Sequence, residues 1–200
     1  LSKWGNYAPM NELRNEERSL INPSFSADIA EQIVIPNKPQ VVKLSNLRSI
    51  SSLTMNVYSV ALDGDTRLNP ENDKDYSVIK KSAELMKDFT QTRKYVGHPE
   101  YQQFKDSMIV GGLPVGVYMI EMYTTPKTNV VRKLYLVSNV RSIYERLPKN
   151  TMKIVVVNAT TGQPLANATV RLKNESDNDH TETVTLTCNT KGEVIYKYKN

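Results

Sequence analysis

The chain has 200 residues, of which 39% are apolar and 24% charged, with a formal net charge of +5. This excludes a disordered chain, and the length suits one large domain or two small ones. A lone cysteine, Cys188, excludes an internal disulfide and a cysteine zinc cluster, and the scattered Lys and Arg exclude the aromatic-interleaved basic stripe of a nucleic-acid binder.

Residues 1–30 read as a linker or helical lead-in. Trp4, Tyr7, Met10 and Leu13 recur every third residue, Pro9 stands where a helix could begin, and Pro23 would stop it. From Ile33 the pattern turns to strands. "IVIP", "QVVKLSNL" and "SLTMNVYSVAL" are short, rich in β-branched and aromatic residues, and punctuated by "PNKP" and "DGD". Residues 74–108 break this pattern. In "DYSVIKKSAELMKDF", Val78, Ser82, Leu85, Met86 and Phe89 fall at helical spacing, which predicts a helical insertion between strands with Asp73 or Asp75 as its cap.

Strand pattern resumes at "MIVGGLPVGVYMIEMYT", "NVVRKLYLVSNV" and "RSIYERL". In "LPVGVYMIEMY", Pro114 fixes φ, Gly116 permits close backbone approach, and Tyr118, Ile120 and Met122 share one face while Val117, Met119 and Glu121 share the other. It reads as a sandwich strand with the corner that feeds it. The loop "LPKN" at 147–150 is read as the domain boundary. Beyond it come "MKIVVVNATTGQPLANATVRLK", a polar tip "NESDNDHTE", and "TVTLTCNTKGEVIYKYKN". About seven strands before the boundary and four after it argue a mainly β chain built from sandwiches, with no βαβ alternation. A first sandwich over 31–148, carrying the insertion 74–108, is followed over 149–200 by a second, partial one. Its last strand, "EVIYKYK", with Val194, Tyr196 and Tyr198 on one side, is expected to offer an unpaired edge, so that residues 150–200 are either more mobile than the first domain or completed by self-association with a second copy.

No residues assemble a recognisable site, so no catalytic, cofactor-binding or metal residue is assigned. His98 in "GHPE" and His180 are the only histidines, and neither H-E-x-x-H nor G-x-S-x-G occurs. Cys188 would need a His partner and a lowered pKa to act as a nucleophile, and it reads as a partly buried strand thiol. Asp63, Asp65, Glu71 and Asp73 begin like a calcium loop but lack its sixth-position Gly and twelfth-position Glu. Gly111–Gly112 is followed by no Lys-Ser/Thr, so it is no phosphate loop. Asn158, Asn167 and Asn174 open N-x-S/T sequons, which carry weight only in a eukaryotic secreted protein.

One resemblance is carried by the order of several loose motifs. "LPVGVYMIEM" resembles the LPPGLYLVEV strand of macroglobulin (MG) domains in bacterial alpha-2-macroglobulin-like proteins. Upstream, "IVIPNKPQVVKLSNLRSISSLTMNVYSV" resembles that family's Pro-turn and paired-strand segment. "RKLYLVSNVRSIYER" resembles the strands that close the domain, and "KIVVVNATTGQPLANATVRL" with "CNTKGEVIY" the opening half of the next one. The resemblance covers about residues 25–200 and implies immunoglobulin-like sandwiches, a scaffold of a longer exported chain in the periplasm or at the outer membrane, and protease trapping or inhibition by the parent. Its implied partners are neighbouring domains of that parent and, through it, proteases. The family's thioester run is missing, since "TCNTKG" around Cys188 has no Gln. The chain starts without Met, so Leu1 reads as a cut end. "TTGQPLANATVRL" with "TKGEV" also resembles a carboxypeptidase-regulatory-like sandwich. The alternative reading is therefore an adhesion or carbohydrate-associated module.

Overall fold

The computed structural model describes residues 8–29, 33–62, 68–98, 101–125, 127–173 and 183–198. The chain forms two compact units that divide between Val137 and Ser138.

The first unit is a two-sheet sandwich. Helix α1 (Ala8–Ile21) precedes β1 (Ser24–Ile29), β2 (Ile33–Val34), β3 (Gln40–Arg48) and β4 (Ser52–Val60). Then come α2 (Asp73–Lys81), β5 (Ala83–Leu85), β6 (Gln91–Lys94), β7 (Phe104–Val110), β8 (Gly116–Thr124) and β9 (Val130–Val137). One sheet runs β1-β3-β7. The other runs β2-β9-β8-β4, with β5 and β6 both pairing along β4. The chain crosses between sheets from β3 to β4 and again from β7 to β8, as an immunoglobulin-type sandwich does between its B and C and its E and F strands. Because β1 already belongs to this sandwich, the lead-in is shorter than the sequence suggests.

Alternation in β3 places Val42 and Leu44 in the core, and an irregularity between Leu44 and Leu47, where Asn46 takes φ 54°, brings Leu47 to the same side, all against Met55 and Val57 of β4 and Tyr118, Ile120 and Met122 of β8. β8 is buried on both faces over five consecutive residues, Tyr118 to Met122. Its outer face is covered by α2: Ile79, 0% exposed, packs with Met119 and Val60. Two covered faces explain why apolar side chains fall on both sides of this strand.

The helical insertion expected over 74–108 contracts to α2 and a single 3-10 turn at Lys87–Phe89. Asn72, not Asp73 or Asp75, caps α2, its Oδ1 accepting the Lys74 and Asp75 N–H groups at 2.9 and 3.4 Å. Asp73 and Asp75 lie in the first turn and Lys80 and Lys81 in the last, both favourable to the helix dipole. The rest of the segment is β5, β6 and β7. Val78 and Leu85 are 48% and 44% exposed, so the expected stripe does not exist, although Met86 and Phe89 pack on the main core. The free edge of β4 supplies backbone partners that a helix cannot use, and that pairing overrides the local periodicity.

The second unit contains β10 (Val140–Leu147), β11 (Thr151–Asn158), β12 (Thr169–Lys173), β13 (Thr183–Thr187) and β14 (Glu193–Lys197). A three-stranded sheet, β10-β11-β14, packs with the β12-β13 hairpin around Ile154, Val156 and Cys188. The boundary expected at 147–150 is a hairpin turn instead. β10 pairs with β11 along its whole length, and Lys149 and Asn150 take positive φ of 61° and 54° to reverse the chain. Pro and Asn serve a tight turn and a linker equally well, so their presence could not tell the two apart. Gly192, with φ +68°, lies where a Cβ would come within 2.6 Å of the Val156 carbonyl, so only glycine fits the approach of β14 to β11.

Candidate functional site

Three groupings of polar side chains stand out among the described residues of the first unit. The first is the corner that enters β8. Tyr118 donates its hydroxyl hydrogen to the Pro114 carbonyl at 3.0 Å. A Cβ on Gly116 would lie 3.1 Å from that hydroxyl oxygen. This is the tyrosine corner of immunoglobulin-like sandwiches, at the turn into their F strand. Burial pushes the Tyr118 hydroxyl pKa up. Ahead of it, the Asn37 N–H donates to the Leu113 carbonyl at 2.8 Å, tying the "PNKP" turn to the corner.

The second is the outer face of β8 under α2. Glu121 is 2% exposed. Lys127 Nζ donates to its Oε1 at 2.9 Å, and Arg132 Nε donates to its Oε2 at 2.7 Å. The Tyr76 hydroxyl reaches from α2 to the same Oε2 at 3.3 Å. The Arg132 guanidinium stacks 3.7 Å from the Tyr76 ring centroid, and the Lys127 ammonium lies 4.4 Å from that of Tyr123. Burial raises the Glu121 pKa, but the hydrogen bonds from Lys127 and Arg132 outweigh it and hold the carboxyl below its ordinary value. A carboxylate held ionised by two cations is a poor proton donor or base at neutral pH. It pins a helix to a sheet.

The third closes one side of the sandwich. Gln91 Nε2 donates to the Ile109 carbonyl at 2.6 Å, and Arg93 donates to the Ser107 carbonyl at 2.9 Å and to both Asp106 carboxylate oxygens at 2.7 Å. The Tyr95 hydroxyl donates to Asp106 Oδ2 at 2.9 Å. Alternate side chains of β6 and its extension thus reach from one sheet to cap the outer edge of β7 in the other. Burial raises the Asp106 pKa, yet Arg93, the Ser107 N–H and Tyr95 together lower it below the usual range. Beside this cap, Tyr95, His98 and Phe104 line a cavity of about 320 Å³ with Ile21, Ser49 and Ser51. His98 stacks on Phe104 at 4.0 Å with ring planes 8° apart. The Ser49 hydroxyl donates to the Leu20 carbonyl at 3.0 Å and the Ser51 hydroxyl to the Thr125 carbonyl at 3.3 Å. Asp106 is committed to Arg93, so these groups make no Ser-His-Asp relay.

The residues singled out in the sequence do not converge. Cys188 is buried in the second unit, where desolvation raises its pKa and disfavours the thiolate. Glu71 pairs with Lys133 at 2.8 Å, and Asp73 belongs to α2. Asn158 accepts the Thr160 and Thr161 N–H groups at 2.9 and 3.0 Å as a turn residue, and Asn167 is an exposed turn residue with φ 59°. Asp63, Asp65, Asn174 and His180 lie outside the described residues. Among the described residues no three His, Cys, Asp or Glu side chains form a metal-ligand group, and no helix is long and apolar enough to cross a membrane. Sequence reasoning missed the Glu121 cluster and the β6 cap. The alternation Gln91-x-Arg93-x-Tyr95 was the one signal for the cap; the cluster draws on β8, β9, the β8-β9 loop and α2 and leaves no local pattern.

No family model matches the chain, and no curated protein matches it. Similar solved structures include a superoxide reductase (neelaredoxin) from Ignicoccus hospitalis, 14% identical over 64% of this chain and 91% of that one, with a TM-score of 0.34. The class 5 fimbriae chaperone CfaA is 9% identical over 87% of this chain and 85% of its own, with a TM-score of 0.31. The sporulation control protein Spo0M from Bacillus subtilis is 7% identical over 84% of this chain and 91% of its own, also at 0.31. Likenesses this distant carry no functional argument.

Proposed function

We propose that this chain is a non-catalytic scaffold and interaction module of a longer, exported macroglobulin-type protein, whose other parts trap or inhibit proteases at the cell envelope. One observation supports the scaffold reading above the rest: the polar groups gathered in the first unit are spent on one another. Glu121 holds α2 and Asp106 holds the sheet edge through Arg93. Neither is left to bind or activate a substrate. The family assignment rests on the ordered motifs, to which the tyrosine corner in "LPVGVY" adds a physical role for the best of them.

The test compares the parent protein with a version lacking residues 24–137, each incubated with a panel of endoproteases. The expected result is that the parent blocks cleavage of a large protein substrate, the deleted form does not, and the isolated chain hydrolyses neither peptides nor esters. Turnover by the isolated chain that a single substitution abolishes would end the scaffold reading. Saturable binding of the isolated chain to an oligosaccharide array, with no effect of the parent on any protease, would transfer the assignment to the adhesion or carbohydrate-associated alternative.

A further inference from the structure

We propose that the free edge of β10 pairs with the same edge of a second copy of this chain, antiparallel about a twofold axis through Ile143. This stands on the second unit alone and does not depend on the macroglobulin reading.

Among the described residues the sheet order β10-β11-β14 leaves two edges. Which backbone groups each presents follows from hydrogen bonds just outside the strands. The Asn139 carbonyl accepts the Ala159 N–H at 2.6 Å, so Asn139 and, by alternation, Arg141, Ile143 and Glu145 turn their backbone groups to β11. Val140, Ser142, Tyr144 and Arg146 turn theirs outward. Ser138 caps Val140, whose N–H donates to the serine Oγ at 3.1 Å, which leaves three outward residues in a row. On β14 the Gly192 carbonyl faces β11, accepting the Val156 N–H at 2.8 Å, so Glu193, Ile195 and Lys197 face outward. There Glu193 is already closed off: its carbonyl accepts the Asn189 N–H at 2.8 Å, and its N–H donates to Asn189 Oδ1 at 3.0 Å. Its carboxylate is held by Lys153 at 2.6 Å. β10 is therefore the longer available edge, rather than the "EVIYKYK" strand that the sequence suggested.

Two copies of β10 can pair antiparallel only in registers that set outward residues against outward residues. Of these, the register with Ile143 on the axis places Ser142 opposite Tyr144 of the second copy, and Tyr144 opposite its Ser142. It also places Arg141 opposite Glu145 of the second copy, and Glu145 opposite its Arg141. Opposite charges then face each other on both sides of the Ile143 pair. Moving the axis to Ser142 or to Tyr144 sets a charged residue against Ile143 and removes the match. Within its own sheet Glu145 stands beside Lys153, so the charges continue to alternate across the joint. The apolar side chains that the joint would cover are now in water: Ile143 is 60% exposed, Tyr144 69% and Val140 44%. On the opposite face the two Tyr144 rings become diagonal neighbours, within reach of each other. The result is a single six-stranded sheet built from two three-stranded ones.

An edge of this length forms a small interface, so weak association is expected. The test is sedimentation across a concentration series of the whole chain. The expected result is a mass that rises toward twice the monomer and stops there. Ser142→Pro removes an outward N–H that β11 does not use, so it should abolish association while circular dichroism stays unchanged. R141E and E145R should each weaken the dimer about tenfold or more, and the two together should restore it to within about threefold. A chain that stays monomeric at its highest soluble concentration overturns the proposal. So does association indifferent to Ser142→Pro and to both charge reversals, or a mass that climbs past the dimer, which would mean β10 adding to β14 of the next copy.

Discussion

Tyr118 and Pro114 are joined by a 3.0 Å hydrogen bond that folds the chain back over four residues at the mouth of β8. The tyrosine ring is inside the core while its oxygen stays at the corner. Phenylalanine would keep the ring and lose the bond. Tyr118→Phe should therefore cost about 1 kcal/mol of stability, the net value of one such hydrogen bond, with no change in secondary structure. Urea unfolding checks this, and an unchanged midpoint would show that the corner is held by Gly116 and packing alone.

Glu121 makes the first unit sensitive to acid. Its folded pKa lies below the ordinary value, so its contribution is fully present above that value and is lost as pH falls through the folded one. Asp106 acts with the same sign. The melting temperature should thus fall on acidification below about pH 4.5. Glu121→Gln should cost about 3 kcal/mol at neutral pH, near the low end for breaking a buried pair because Lys127 is half-exposed and can be resolvated. The same variant should show a shallower acid loss than the native chain. Thermal melts from neutral to acid pH would refute this if the two curves ran parallel.

Removing the β6 cap should act on association more than on stability. Arg93 and Asp106 are partly exposed, so Arg93→Ala should cost only about 1 kcal/mol. Together with Gln91→Ala it leaves the Ser107 and Ile109 carbonyls without their side-chain donors on an exposed sheet edge. Faster growth of light scattering on mild heating is expected of the double variant. Equal scattering by the native chain would mean that something other than these side chains guards β7.

The contrast between Ile79 and Leu85 tests what covers β8. Ile79 is fully buried, so Ile79→Ala should destabilise the first unit by about 2–5 kcal/mol. Leu85 is 44% exposed, and Leu85→Ala should stay within about 0.5 kcal/mol of the native chain. Chemical denaturation of both variants gives the answer, and a larger loss at Leu85 would restore a helix running through 83–89.

Much of this protein is written locally and can be read without coordinates. β-branched and aromatic residues between turn residues mark β3 and β4, and Pro114 and Gly116 mark a corner, because these preferences act over a few residues. The mainly β class and the order of the long strands follow from them. A helix over 73–81 is likewise legible in the spacing, although its cap is Asn72 and not the Asp73 or Asp75 expected. Its end was not, because "SAELMKDF" satisfies helical spacing and only the open edge of β4 draws Ala83–Leu85 into a strand. The unit boundary failed for a related reason: a turn with Pro and Asn has the same composition as a linker, and only the pairing of β10 with β11 distinguishes them. The charged clusters were hidden most completely. Glu121 meets Tyr76 across 45 residues of sequence and Arg93 meets Asp106 across 13. Such partners are chosen by which sheet faces and edges come together, and no window along the chain contains that information.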